Sequence, residues 1–339
     1  MTSRKYWQQR YLQIAAANQR HSIQYEQQML DQVDAIYTAL STQIASWYKR
    51  YGRTKGTDFA GAAAALKDAR NEGWQMTLTE FERKARLDGY DDELDLEYIR
   101  SRVARLQQLQ AQLVSSVAPV VPEIQDSMSA EMQARYKYTY EHAMYLTEAL
   151  SGVTGNFASY SEDQLKMVVA QPWHGSNFSQ RVWGTLTNSL PDLLMHSLAE
   201  AVVLGYAPGK VASKLADKYG AFKAVDLHRL INTEMAHIAE QATLKSYSDC
   251  DVEYYQYMAT LESHTCSTCA ALDGRIIKMQ DRIEGGNYPP IHPYCRCTTG
   301  AYFKNMPEPG ERWSRDPVTG RGKRVPMQSF NQWISKQHK

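Results

Sequence analysis

Four of the five cysteines in this chain fall in one stretch near its end, ESHTCSTCAALDGRIIKMQDRIEGGNYPPIHPYCRCTT. Cys266 and Cys269 form a CxxC, a spacing that presents two sulfurs from one tight turn. His292, Cys295 and Cys297 follow after a gap of 22 residues. Tetrahedral zinc takes four nitrogen or sulfur ligands, and two short ligand groups joined by a loop are the usual supply. Five candidates thus compete for four places in a structural zinc site: Cys266, Cys269 and Cys295 are favoured, with either His292 or Cys297 as the fourth. Pro289, Pro290 and Pro293 stiffen the second group and hold the residues before them extended. Two disulfides, Cys266 to Cys297 and Cys269 to Cys295, are the alternative, and packed free thiols are the third reading. Cys250 stands apart and reads as a packed thiol.

Catalysis by the same residues fits less well. A zinc deaminase pairs its CxxC with an upstream HxE that shuttles the proton, and the residues before Cys266 read LESHT. Asp273, Asp281 and Glu284 lie in the loop without a convincing partner. A catalytic zinc keeps one position open, whereas this cluster has a ligand to spare. A nucleophile pair of Cys266 and His264 places two residues too close in sequence to face each other productively. The chain is therefore read as not an enzyme, with no catalytic residue assigned.

The elements that must carry this cluster are mostly helices. Residues 3–51 contain neither Gly nor Pro. Met29, Val33, Ile36, Tyr37, Leu40, Ile44, Trp47 and Tyr51 recur at steps of three and four, the helical period. Such a helix is about 70 Å long and must pack against another helix or another protein. GRTKGTD breaks it, and a second helical region follows, clearest at 79–87, 92–116 and 122–150. Further helices are predicted over 179–204, bent at Pro191, and over 225–247, with the short PGKVASKLADKYG between them ending at its glycine. VEYYQYMAT and RIIKM then read as strands. The predicted fold class is mainly α with a small C-terminal α+β module: long N-terminal helices and a cysteine-clustered end. The expected divisions are 1–55, a long helix; 56–170, helical; 171–303, a domain bearing the cysteines; and 304–339, a basic tail containing proline.

Composition narrows the function. With 38 Lys and Arg against 37 Asp and Glu, no global field draws the protein to nucleic acid or membrane. No apolar run approaches the roughly 20 residues of a membrane span, and the first residues lack the apolar core of a signal peptide. A cytoplasmic origin, where thiols stay reduced, favours metal over disulfides. The tail differs, with eight Lys or Arg against three acids after Phe303; such a segment is expected to be extended and weakly folded alone. Arg312, Arg315, Arg321, Lys323 and Arg324 are candidate phosphate contacts, with Trp313 able to stack on a base. Thr233 and Glu234 read as a hydrogen-bonded packing pair, and Trp173, Trp183 and Tyr254 to Tyr257 as core.

The run CSTCAALDGRIIKM…YPPIHPYCRCTT resembles the signature of the phage head-morphogenesis family, the Mu F-like minor head proteins, in which a CxxC followed by LDG is joined to PPxHPxCRC. QPWHGSNFSQRVW at 171–183 and INTEMAHIAEQA at 231–242 resemble other parts of the same domain. RKYWQQRYLQ is similar to the start of minor capsid proteins from phages of Gram-positive hosts. The resemblance implies a phage minor head protein without enzymatic activity, made in the host cytoplasm and then enclosed in the virion near the portal, where it assists head assembly and genome packaging or delivery. It implies the portal protein as partner, with major capsid or scaffolding protein, packaged DNA and further copies of itself as additional partners, and no membrane before infection. The cysteines and His292 carry over as a shared cluster. The alternative function is a zinc-stabilised DNA-binding protein acting on the packaged genome, against which the near-zero charge argues.

Overall fold

A computed structural model describes residues 2–51, 96–203, 206–260, 265–308, 311–315, 322–326, 334–335 and 337. In chain order the helices are α1 (Ser3–Tyr51), α2 (Leu96–Val117), α3 (Val121–Ser151), α4 (Glu162–Val169), α5 (Phe178–Gly184), α6 (Leu190–Val203), α7 (Pro208–Phe222) and α8 (His228–Asp249). Strand β1 (Tyr254–Met258), the short helix α9 (Ser267–Leu272) and strands β2 (Ile276–Lys278), β3 (Thr298–Tyr302), β4 (Glu311–Arg315) and β5 (Gly322–Pro326) complete it. The protein is mainly helical, with a small antiparallel sheet and the cysteine cluster near the C-terminus. The expected break at Gly52 and the helix expected at 79–87 lie outside the described residues.

Several boundaries follow from local chemistry. Pro122 opens α3, where a missing N–H costs nothing. Ser161 caps α4: its hydroxyl accepts from the Gln164 N–H while the Gln164 side chain accepts from the Ser161 N–H, a reciprocal arrangement that satisfies two orphan donors. Pro191 lies in the first turn of α6, so the segment expected to be one helix is divided just before it. A widened π-type turn, Thr185–Ser189, directly precedes it, in the position where a normal turn would meet the crowding of the proline ring. Gly220 does not end α7 as expected, because the backbone continues through a second widened turn, Lys223–Leu227, into α8.

The chain forms two compact units, each discontinuous in sequence. One consists of residues 28–125 and 179–228. Its described core is apolar: Met29, Val33, Ile36, Leu40 and Ile44 of α1, Leu106, Leu109 and Leu113 of α2, Leu194 and Leu198 of α6, and Val211 and Leu215 of α7 are all buried. Tyr37 stacks on Tyr219 with centroids 3.9 Å apart, and Lys223 pairs with Asp34 at 2.9 Å.

The other unit consists of residues 1–27, 126–178 and 229–339. Here α1 buries Trp7, Tyr11, Ile14 and Tyr25. The Trp7 indole donates to the Pro307 carbonyl at 2.8 Å. Tyr11 and Thr147 share a hydrogen bond of 2.9 Å, and Asn18 pairs with Thr139 at 2.9 Å. The three-stranded sheet has the order β2-β1-β3, with Tyr255 opposite both Ile277 and Ala301. β1 is central, and four of its five residues are buried, as a strand covered on both faces requires. Gln256 on β1 accepts from the Gln8 amide of α1 at 2.8 Å. In the tail, which was expected to be extended, β4 and β5 pair as an antiparallel hairpin. Trp183, expected in the core, is 43% exposed.

Candidate metal centre

Helix α9 begins at the CxxC because Cys266 caps it. Its backbone is extended, and its sulfur accepts from the Cys269 N–H at 3.3 Å, the role usually taken by Ser or Asp. One helical turn later Cys269 is buried, and the Tyr257 hydroxyl of β1 donates to its sulfur at 3.3 Å. The LDG that follows closes the helix onto β1. Asp273 accepts from the Ala259 N–H at 2.9 Å, and the Gly274 N–H donates to the Tyr257 carbonyl at 2.9 Å. Gly274 has φ +74°, a conformation open to glycine at no steric cost, while the nearest atom to an added Cβ would be 3.8 Å away. The backbone angle, not space, therefore requires this glycine.

The second ligand group is built by a turn on which the Cys295 N–H donates to the His292 carbonyl at 3.1 Å. Tyr294 lies in the left-handed region, φ 66°, and its N–H donates to the Thr233 hydroxyl of α8 at 3.2 Å. Tyr288, fully buried, anchors the approach by donating to the Glu240 carbonyl at 2.9 Å.

These two supports bring the five predicted residues into two overlapping triads, Cys266–Cys269–His292 and Cys269–Cys295–Cys297. His292 Nε2 lies 3.3 Å from the Cys266 sulfur and 3.4 Å from the Cys269 sulfur, and the Cys269 and Cys295 sulfurs are 3.9 Å apart. Bonds of about 2.0 to 2.3 Å to a tetrahedral ion put ligand atoms about 3.3 to 3.8 Å from each other. A disulfide needs about 2.05 Å, and all five cysteines carry free thiols in this arrangement. His292 Nδ1 lies 2.7 Å from the Pro293 carbonyl. A donor hydrogen bond there fixes the tautomer and turns Nε2 toward the sulfurs, the usual support for a ligating histidine. The residues fit a soft tetrahedral cation.

The electrostatics sort the five. The Cys269 N–H holds the Cys266 thiol below its ordinary pKa. A hydrogen bond from Cys297 lowers Cys295 to about 5, while the same bond pushes Cys297 up. Burial raises Cys269 to about 11. Burial works against the charge on His292, but the Pro293 carbonyl and the negative sulfurs of Cys295 and Cys266 outweigh it and raise its pKa. The contact between Cys295 and Cys297 thus favours negative charge on Cys295 over Cys297.

The other predicted positions are dispersed. Cys250 is buried against the Met144 sulfur at 3.5 Å. Thr233 and Glu234 do not form a pair of their own: Thr233 holds Tyr294, and Glu234 accepts from the Trp173 indole at 3.0 Å. Arg312, Arg315, Lys323 and Arg324 fall on β4 and β5, while Arg321 and His264 lie outside the described residues. Tyr257 was read from the sequence as core and is buried, but its hydrogen bond to Cys269 was not foreseen, and Glu240 was missed. Glu240 is fully buried, accepts from the Thr298 hydroxyl at 2.6 Å, and is raised by burial to about 8. His237 was missed too; its ring stacks on Trp173 at 4.0 Å and lies 3.2 Å from a Glu284 oxygen. A signal was present, since Glu234, His237 and Gln241 follow the i, i+3, i+7 spacing of one helix face.

Among the described residues, no helix is long and apolar enough to cross a membrane. Comparison with curated proteins and with solved structures gave no match. Residues 193–300 match the family model described as Phage Mu protein F like protein, a family of structural virion proteins. That span encloses the CxxC, the LDG turn and the HPYCRC group, so this part of the chain is similar to Mu F-like phage head morphogenesis proteins.

Proposed function

We propose that this protein is a minor head protein associated with the portal protein inside the phage head, where it assists head assembly and genome packaging or delivery. Major capsid or scaffolding protein would be a further neighbour. The observation that carries the reading is that the family-matched span encloses a closed set of donors, with His292 Nε2 directed at two sulfurs. A donor set with a ligand in reserve and no open position suits a cross-link better than a reaction. Zinc is the cation proposed, held by Cys266, Cys269, His292 and Cys295, with Cys297 supporting Cys295 by its hydrogen bond. When bound, the ion supplies a cross-link between α9 and the turn before β3, and its binding free energy becomes folding free energy.

The full-length chain is the reagent for testing the partner, because deleting residues 1–55 removes Trp7 and Tyr11 from a core. Purified portal should capture the protein, and the protein should sediment with portal-containing particles. Consistent failure of both would end the portal reading. Elemental analysis should give about one zinc per chain; protein free of metal and of reactive thiols would favour disulfides.

A further inference from the structure

A cleft of about 530 Å³, the size of a small-molecule site, is lined by Tyr136, Tyr160, Trp173, His237, Gln241 and Glu284. All six residues belong to the sheet-bearing unit, and none is a candidate metal ligand. Much of the wall is aromatic. Trp173 and His237 lie parallel to within 2°, centroids 4.0 Å apart, and Tyr160 stands edge-on to Tyr136 at 5.4 Å. His237 is only 7% exposed. Its Nδ1 lies 3.2 Å from Glu284 Oε1 but makes no aligned hydrogen bond among the described residues, while the Gln241 amide donates to that oxygen at 2.9 Å. A buried polar atom without a hydrogen bond is uncommon in a folded protein, and this one belongs to a ring that borders a cleft.

The charges at the cleft are already matched. Lys245 pairs with Asp249, and Arg282 stands 4.0 Å from Glu284 Oε2, so no net field favours an ionic ligand. The polar groups left over accept rather than donate. His237 holds Glu284 below its ordinary pKa, and an ionised carboxylate only accepts. A carboxylate beside Nδ1 keeps the imidazole proton there and leaves Nε2 as an acceptor. We propose that this cleft binds a nucleobase bearing an exocyclic amine, adenine or cytosine, with its ring against the aromatic wall and its amine donating to Glu284 or His237. A further flat ring extends the Trp173–His237 stack, and every base offers a π face. Carboxylates accept from the cytosine amine, and Gln side chains such as Gln241 pair with adenine. The assignment is independent of the metal centre and of the portal reading.

The test is calorimetric titration of the full chain with adenosine, cytidine, inosine and uridine, the last two carrying a carbonyl in place of the amine. Adenosine should bind about tenfold more tightly than inosine, and cytidine than uridine, because the carbonyl sets acceptor against acceptor. His237→Phe, which keeps a ring on Trp173, and Glu284→Leu should each erode that preference. Tyr160→Ala should weaken adenosine and inosine alike by about tenfold if its ring contributes stacking. Oligo(dA) bound more tightly than adenosine would place the base in a DNA strand, and the reverse would make the ligand a free nucleoside; either result upholds the proposal. Equal binding of each amine and carbonyl pair would overturn it, as would no binding of any nucleoside at millimolar concentration. Maltose or chitobiose bound in their place, with the signal lost in Tyr160→Ala, would reassign the cleft to a saccharide. The adenosine and inosine comparison needs only the unaltered protein, so a variant that fails to fold leaves the test intact.

Discussion

The two compact units are held together by different chemistry. Among the described residues, fourteen of the sixteen buried polar or charged side chains lie in the unit of residues 1–27, 126–178 and 229–339, and only Thr187 and Ser197 lie in the other. The latter unit relies on apolar stripes meeting apolar stripes, an attraction without direction. The former relies on bonds with fixed partners: Tyr11 with Thr147, Asn18 with Thr139, Tyr247 with Thr299 at 3.1 Å, and Glu240 with Thr298. Directional bonds add little net stability when made and cost much when one partner is removed. A unit built this way around a three-stranded sheet has reason to carry a cross-link, and the cysteines lie in that unit.

The largest expected effect breaks this contrast outright. Stripping the metal with a chelator, or replacing Cys269 with Ser, should lower the melting transition of the sheet-bearing unit by on the order of 10 °C. Hydrogen exchange should accelerate over 254–302 while 29–44 stays protected. Equal loss of protection in both stretches would mean that the units do not differ in this way. A smaller pair of effects sharpens the contrast. Leu40→Ala should cost about 2–5 kcal/mol through the cavity it leaves. Asn18→Ala should cost about 1–3 kcal/mol by stranding Thr139, and Thr139→Val in the same chain should recover part of that loss. Denaturant titration of the singles and the double reads both, and strict additivity at Asn18 and Thr139 would contradict the directional account.

The smallest is a slope. Glu240 has its pKa raised from 4.5 to about 8 by burial, so the folded state holds a proton that the unfolded state releases. Its contribution is complete below about pH 4.5 and is lost as pH rises toward 8, at up to about 1.4 kcal/mol per pH unit. Glu240→Gln should flatten stability over that window. An unchanged profile would show that Glu240 titrates alike in both states.

The same contrast explains what the sequence disclosed. The stripe from Met29 to Ile44 was readable because every member is apolar. Its continuation through Trp7, Tyr11, Ile14 and Tyr25 was not, because the buried positions between them include Asn18 and Ser22, whose burial depends on partners over a hundred residues away or on the helix itself. Trp183 looked like core from its type alone and is exposed. At the candidate site, spacing picked out the five ligand candidates that the structure brings together. It could not show Tyr257 behind Cys269 or Thr233 behind Tyr294, since those contacts exist only after α8, β1 and the loops meet. The second triad around Cys297 is likewise a matter of folded geometry.

The cap at the start of α9 has a consequence for how this protein can vary. One sulfur, that of Cys266, both ends the orphan N–H of the helix and stands among the ligand atoms. Serine, one base change away and a better cap, would keep the turn and remove the ligand. The mildest substitution in chemical terms would thus keep the local helix and remove one candidate ligand, so mutational drift at this position is hidden from any assay of helix formation and read only in metal content and stability.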